Sequence, residues 1–201
     1  MPTAITPSSS DPALATYSSP VGRLTLAARG GALAGLWVAG QRFFGSSYAI
    51  DEAVARSALD LTSPDSQELV RAAAEWDEAD ALALRAAASW LDGYFAGEAP
   101  SPVCVPIAPA GTDFQQRVWE AMDAIPHGAT RTYGQVVDQL RAVGIPASAQ
   151  AVGGAVGRNP LLIIRPCHRV VAASGPGGYA AGGDAKAWLL AHEAARASSA
   201  S

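Results

Sequence analysis

Cys167 is preceded by Pro166, followed by His168, and stands between Arg165 and Arg169. Cysteine acts as a nucleophile through its thiolate, and nearby cations favour that form. This grouping predicts a reactive thiol of lowered pKa, although a buried free cysteine can also be an inert small hydrophobe. The flanks weigh towards reactivity. Asn159-Pro160 leads into Leu161-Leu162-Ile163-Ile164, Val170-Val171 follows, and a glycine-rich stretch from Gly175 to Gly183 surrounds Tyr179. Each apolar run is short enough for a buried strand, which would set the cysteine between two strands.

Other residues must position that segment. Residues 14–38 alternate in part, and Ser19-Pro20-Val21-Gly22 and Arg29-Gly30-Gly31 punctuate them, so an antiparallel meander is predicted. Residues 42–65 carry little pattern and predict loop. From Ser66 to Phe95, alanine and leucine with Trp76, Leu82, Trp90, Leu91 and Phe95 predict an amphipathic helix over the sheet. Val103 to Pro109 predicts a strand, then a linker. A second unit opens at Gly111. Thr112 and Gln115 have the spacing of a capping box, Phe114, Val118, Met122 and Ile125 keep one face apolar, and Ile125-Pro126-His127-Gly128 stops the helix. Thr132-Tyr133-Gly134 opens a helix to around Leu140, and a turn at Gly144-Ile145-Pro146 leads to a helix from Ala147 to Gly157. Two helices joined in this way suit a helix-turn-helix, whose second helix docks on DNA. The small residues Ala149, Ala151, Gly153, Gly154 and Ala155 would admit another backbone, or serve tight helix packing. Val170 to Tyr179 predicts a wing, and Asp184 to Arg196 a final helix.

At 201 residues the chain can hold one large domain or two small ones. No apolar run approaches the roughly 18 residues of a membrane span, and the N-terminus lacks a signal peptide's basic and apolar regions. A cytoplasmic protein with no membrane partner is expected. Residues 1–12 and 195–201 are rich in Ser, Ala and Pro and read as frayed ends. Cys104 and Cys167 make neither a disulfide framework nor a zinc set, and His127, His168 and His192 are scattered, so no metal or cofactor is expected. The net charge of -4 speaks against nucleic acid. That charge is unevenly placed: residues 1–110 hold 6 Arg against 12 acids, while residues 111–201 hold 7 Arg and 1 Lys against 6 acids. Only the second half could face phosphates, and weakly.

Asn159-Pro160, an apolar run and Pro166-Cys167-His168-Arg169-Val170 together resemble the reactive segment of the O6-alkylguanine-DNA alkyltransferases, a highly specific motif. The resemblance runs from Ala15 to Ala195. It includes Ser19-Pro20-x-Gly22-x-Leu24, Gly111-Thr112-x-Phe114-Gln115, Val118-Trp119, Ile125-Pro126-x-Gly128, Tyr133-Gly134, Ala151-Val152-Gly153, Lys186 and Leu189-Leu190-x-x-Glu193. It implies an α/β protein: a disordered N-terminus over residues 1–12, an RNase H-like domain over 13–108 and a winged helix-turn-helix domain over 109–197. The implied reaction is an irreversible, single-turnover transfer of an alkyl group from guanine O6, or thymine O4, to Cys167. The implied partner is double-stranded DNA, weakly bound by a monomer.

The same resemblance implies roles. Cys167 accepts the alkyl group, water relays its proton to His168, and Glu193 orients the imidazole, the logic of a nucleophile–base–orienter triad. Asn159 ties the helix-turn-helix to the active-site segment. Tyr133 donates towards the guanine or presses its 3′ phosphate, and Lys186, the only lysine, helps polarise the leaving oxygen. The carbonyl of Val170 and the loop around Tyr179 and Ala180 line the pocket. Gln115, Tyr133, Ala149 and Gln150 face the DNA, from which the target base must be flipped.

Departures from the family fall on the DNA-reading side. Gln150 stands where an arginine usually fills the gap left by the flipped base. The Tyr133–Gln150 step of 17 residues is three longer than usual, and the Cys167–Tyr179 step of 12 is one shorter. Ala181 holds a usual glycine position, and Arg165 replaces an apolar residue. The alternative reading is therefore a relative acting on a small molecule or an atypical DNA substrate. A binding-only lesion reader is disfavoured by the presence of Cys167. A cysteine hydrolase is disfavoured because its nucleophile and base come from separated positions.

Overall fold

The computed structural model of the chain describes residues 11–45, 48, 50–56, 58–62 and 76–197. Strands β1 (Ala13–Ser19), β2 (Gly22–Arg29) and β3 (Ala32–Val38) form the expected meander, each pair antiparallel. Both faces are covered, so Leu24, Leu26, Ala27, Leu33 and Leu36 have no exposure. Helix α2 (Glu78–Phe95) packs one face with Leu84, Ala87, Leu91 and Tyr94. Trp37 folds over Gly35 so closely that a Cβ there would lie 1.8 Å from its ring.

The described residues between 42 and 62 are more regular than their weak pattern predicts. They contain α1 (Glu52–Arg56) and β4 (Leu59–Asp60), which runs parallel to β1 and completes the sheet order β3-β2-β1-β4. Two residues are too few to display alternation. The strand is held by tertiary bonds: the Thr16 hydroxyl donates to the Ala58 and Leu59 carbonyls, each at 3.4 Å, and Leu61 N–H to Thr16 O at 2.8 Å. Residues 66–75 of the predicted helix lie outside the described residues. Val103 to Pro109 is not a strand. It forms a 3-10 turn, Pro102–Cys104, and a single bridge from Ile107 to Leu33. Pro102, Pro106 and Pro109 each lack the N–H that a longer ladder needs.

The second half is helical. α3 (Asp113–Asp123) carries the capping box of Thr112 and Gln115, and α4 (Tyr133–Ala142) carries another, of Thr132 and Gln135. α5 (Ala149–Gly157) begins two residues later than predicted because Ser148 caps it, its hydroxyl accepting from Ala151 N–H. The Trp119 indole donates to Ala155 O at 2.9 Å and fixes α3 against α5. β5 (Arg131–Thr132) pairs in parallel with β6 (Val170–Val171), and Ala172 bridges Gly175 at the base of the predicted wing. α6 (Gly183–Ala197) closes the chain beyond the expected fraying point, with residues 198–201 outside the described set.

Leu161–Ile164 also departs from its predicted strand. These residues are fully buried, yet they form turns, with Ile163 at φ +70. Burial without alternation cannot distinguish a strand from a buried turn. The segment leans on the edge of β3: Leu36 N–H donates to Pro160 O at 2.7 Å, and Leu162 N–H to Leu36 O at 3.0 Å. Among the described residues no helix is long and apolar enough to cross a membrane.

Candidate active site

The turn after α5 is held by one side chain. Asn159 Oδ1 accepts from Leu161 N–H at 3.0 Å, and its Nδ2 donates to the carbonyls of Leu161 (3.2 Å) and Arg165 (3.0 Å). The same nitrogen lies 3.1 Å from Cys167 Sγ. Asn159 thus fixes both ends of the buried turn and the sulfur beyond it. Cys167 begins a 3-10 turn, Cys167–Arg169, and is 3 % exposed.

Burial pushes the Cys167 thiol up to about 11, against the lowered value expected from its neighbours. The hydrogen bond from Asn159 and the charge of Lys186 pull it down without cancelling burial. The flanking arginines do not reach the sulfur. Arg165 turns away to Asp123 (Nε to Oδ2, 3.3 Å) and stacks over Trp119. Arg169 donates to Glu193 and to Ile125 O. Adjacency in the chain was not contact in space.

Glu193, on α6, is the hub behind the sulfur. Its Oε1 lies 2.7 Å from His168 Nε2 and accepts from Tyr94 OH and Arg169 Nη2, both at 2.9 Å. Its Oε2 accepts from Arg169 Nε (2.8 Å) and Gly128 N–H (2.9 Å). Burial alone would raise this carboxyl. The bonds from His168, Arg169 and Gly128 outweigh it and hold the pKa well below the carboxylate range. Burial lowers the His168 pKa, although Glu193 pulls it up. With Nε2–H donating to Glu193, the Nδ1 lone pair is left without a protein partner.

Cys167 opens onto a pocket of about 310 Å³, lined also by Tyr133, Gly153, Gly154, Tyr179, Ala180, Phe43 and Arg158 among others. A larger cleft of about 640 Å³ is lined by Arg165, Pro166 and Arg169 among others, and Cys167 is not on its wall. A Cβ at Gly153 would meet only Tyr133, at 3.9 Å, and one at Gly157 nothing. These glycines keep the pocket open rather than let helices pack. Lys186 is fully buried, and its ammonium donates to Val170 O (2.6 Å) and Gly178 O (3.1 Å), joining the two sides of the pocket loop.

The structure therefore brings together Cys167, His168, Glu193, Asn159, Tyr133, Val170, Tyr179, Ala180 and Lys186. It does not bring Gln115, Ala149 or Gln150 to the pocket. Gln115 is engaged in capping α3, and Ala149 and Gln150 are exposed at the start of α5. Sequence reasoning missed Tyr94, which belongs to an ordinary apolar helix stripe, and Arg42 and Phe43, which precede the sulfur by more than a hundred residues and carry no motif.

A sequence model of the 6-O-methylguanine DNA methyltransferase DNA-binding domain matches residues 113–195. A methylated-DNA–protein-cysteine methyltransferase from Mycobacterium tuberculosis is 40 % identical over 183 residues, covering 90 % of this chain and 92 % of its own. This chain belongs to the methylated-DNA–protein-cysteine methyltransferase family. A family member from Methanosarcina acetivorans is 49 % identical over 108 residues, 53 % of this chain and 67 % of its own. Among solved methyltransferase structures, the Mycobacterium tuberculosis O6-methylguanine methyltransferase has a TM-score of 0.66 at 36 % identity, covering 92 % of this chain and 94 % of the other. Mycobacterium tuberculosis OGT in complex with DNA scores 0.65 at 38 % identity, covering 91 % and 93 %. Cys167, His168 and Glu193 fall inside the stretch matched by the methyltransferase domain, whereas Arg42, Phe43 and Tyr94 fall outside it.

Proposed function

We propose that this methyltransferase-family protein repairs DNA by direct reversal, Cys167 taking the alkyl group from O6 of guanine, or O4 of thymine, in a reaction that spends the protein. The observation that carries this is a thiol in the wall of a base-sized pocket, backed by a histidine already paired with a carboxylate. The thiol proton passes through a water to His168 Nδ1, and ionised Glu193 stabilises the imidazolium. The thiolate attacks the alkyl carbon, the S–C bond forms, and the C–O6 bond breaks with its electron pair moving to oxygen. The proton taken from sulfur ends on the guanine, which leaves neutral. Tyr133 donates to the base, and Lys186 holds the Val170 and Gly178 carbonyls beside it.

Ionising a thiol of pKa about 11 at neutral pH costs about 5 kcal/mol. A reaction at about one per second has roughly 17 kcal/mol of barrier to fill, so the raised pKa is compatible with slow single-turnover chemistry.

We read residues 13–108 as an RNase H-like domain, supported by a meander whose fourth strand runs parallel to the first. Residues 109–197 read as a winged helix-turn-helix, supported by capped α4 and α5 and the bridge at Ala172–Gly175. Its action would be on DNA in the cytoplasm. The test is intact mass after incubation with a duplex oligonucleotide carrying one O6-methylguanine. The expected result is one methyl group on Cys167 and none in Cys167→Ala. Label on Cys104, or repeated turnover, contradicts the proposal.

A further inference from the structure

We propose that the turn after β3, residues 40–45, supplies the substrate contacts that α5 lacks. On binding, the Phe43 ring exchanges a guanidinium on one face for the extruded base, and Arg42 and Arg158 engage the phosphates beside it. This rests on the alkyltransferase reading and names the residues that hold its substrate.

The turn is built to present one ring. Gln41 is buried, its Oε1 accepting from Val38 N–H at 2.7 Å, and Phe44 packs on Trp37 with centroids 5.7 Å apart. Phe43 is then left facing the Cys167 pocket at φ +66, a left-handed backbone that is unfavourable for a bulky residue. Strain of this kind persists where the surroundings over-determine it, and functional sites are where it gathers. Arg42 N–H donates to Ala180 O at 3.4 Å and ties the turn to the loop across the pocket.

Two exposed cations flank the ring. The Arg42 guanidinium lies 4.7 Å from the Phe43 centroid and that of Arg158 lies 5.0 Å from it. An exposed guanidinium beside a ring still has N–H groups that fit a phosphate, although Arg158 Nη1 also reaches Gly154 O at 3.4 Å. Arg158 caps the C-terminal end of α5, while Gln150, uncharged and exposed, sits at the other end. Positive charge thus stands at the pocket rim, at the opposite end of α5 from Arg141, whose guanidinium is engaged on Ala147 O. Gly153 and Gly154 leave the space between Tyr133 and the rim for a flat ring.

The test compares transfer rates from a duplex oligonucleotide carrying one O6-methylguanine with those from free O6-benzylguanine, and follows duplex affinity with salt. Arg42→Ala combined with Arg158→Ala should lower the duplex rate about tenfold more than the free-base rate. It should also flatten the log–log salt slope by about 2, near 0.9 per phosphate. Phe43→Gly suits the positive φ and so keeps the fold. It should lower both rates about tenfold, the worth of one stacked base, and Phe43→Tyr should restore them. An unchanged salt slope and rate ratio in the double variant, or wild-type rates in Phe43→Gly, overturns the rim proposal and leaves the alkyltransferase reading standing. No transfer by the wild-type protein from either substrate overturns both.

Discussion

The surroundings of Cys167 and the beginning of α5 lie a short way apart and are built in opposite ways. Around the sulfur, polar groups interlock: Asn159 holds a turn at three backbone positions, and Glu193 is held by four residues from three parts of the chain. At the start of α5, Ala149 and Gln150 are exposed, and the helix is held by the Ser148 cap and by Arg141 on Ala147 O. A buried reactive centre works only if each group is positioned and satisfied, because an unpaired buried polar atom is costly. An exposed nucleic-acid surface needs little more than charge at the right place, and charge can move from one element to another. On the proposed function, the reactive cluster can therefore stay fixed while the surface offered to DNA changes.

The sharpest break of this contrast is at the sulfur itself. Cys167→Ala should abolish transfer completely while the protein still melts cooperatively, as read by intact mass and circular dichroism. Next, Glu193→Gln should slow transfer by about a hundredfold, the usual worth of acid–base assistance. It should also cost about 3 kcal/mol in urea unfolding, because Arg169 would lose its buried anion. A variant with normal stability and rate would show that the carboxylate only fills space. Asn159→Ala should destabilise by about 2 kcal/mol through the backbone groups it leaves unpaired. An unfolding midpoint within error of wild type would contradict the clamp.

The thiol gives a pH test with a definite sign. Its folded pKa of about 11 lies above the ordinary 9.0, so the unfolded chain loses that proton first. This contribution to stability is full below about pH 9 and is lost as pH rises towards 11. Iodoacetamide labelling of Cys167 should rise over the same window. Replacing His168 with alanine should move that profile, and an unmoved profile counts against the relay. The smallest effect belongs to the exposed region: Gln150→Arg should raise the duplex rate a few-fold and steepen the salt slope by about 0.9, with less change for free O6-benzylguanine. An unchanged or lower duplex rate would mean that the enlarged helix pair extrudes the base by its own means.

Legibility followed the range of the interactions. The meander, the capping box at Thr112 and the helix opening at Thr132 are written in neighbouring residues and could be read directly. Leu161–Ile164 was misread because a buried apolar run looks the same whether it forms a ladder or is folded back by an asparagine. The lowered thiol pKa was misread for a related reason: Arg165 and Arg169 stand two residues either side of Cys167 in the chain but are drawn away by Asp123 and Glu193. Cys167, His168 and Glu193 were reached through the family motif. Tyr94, Arg42 and Phe43 were not, because each reaches the site across a long chain separation that leaves no local pattern.

The placement of the Cys167 turn against β3 also bears on aggregation. Ala32–Val38 is an apolar run without charge, the kind of sequence that recruits strands from other molecules when its side is open. Pro106 and Ala108 occupy that side at Leu33, and Pro160 and Leu162 occupy it at Leu36. The segment that carries the nucleophile is therefore also a cover over a sticky edge. Damage that loosens it, such as loss of the Asn159 clamp, would free a template for intermolecular pairing, so the protein would fail by clumping before its sheet unfolds.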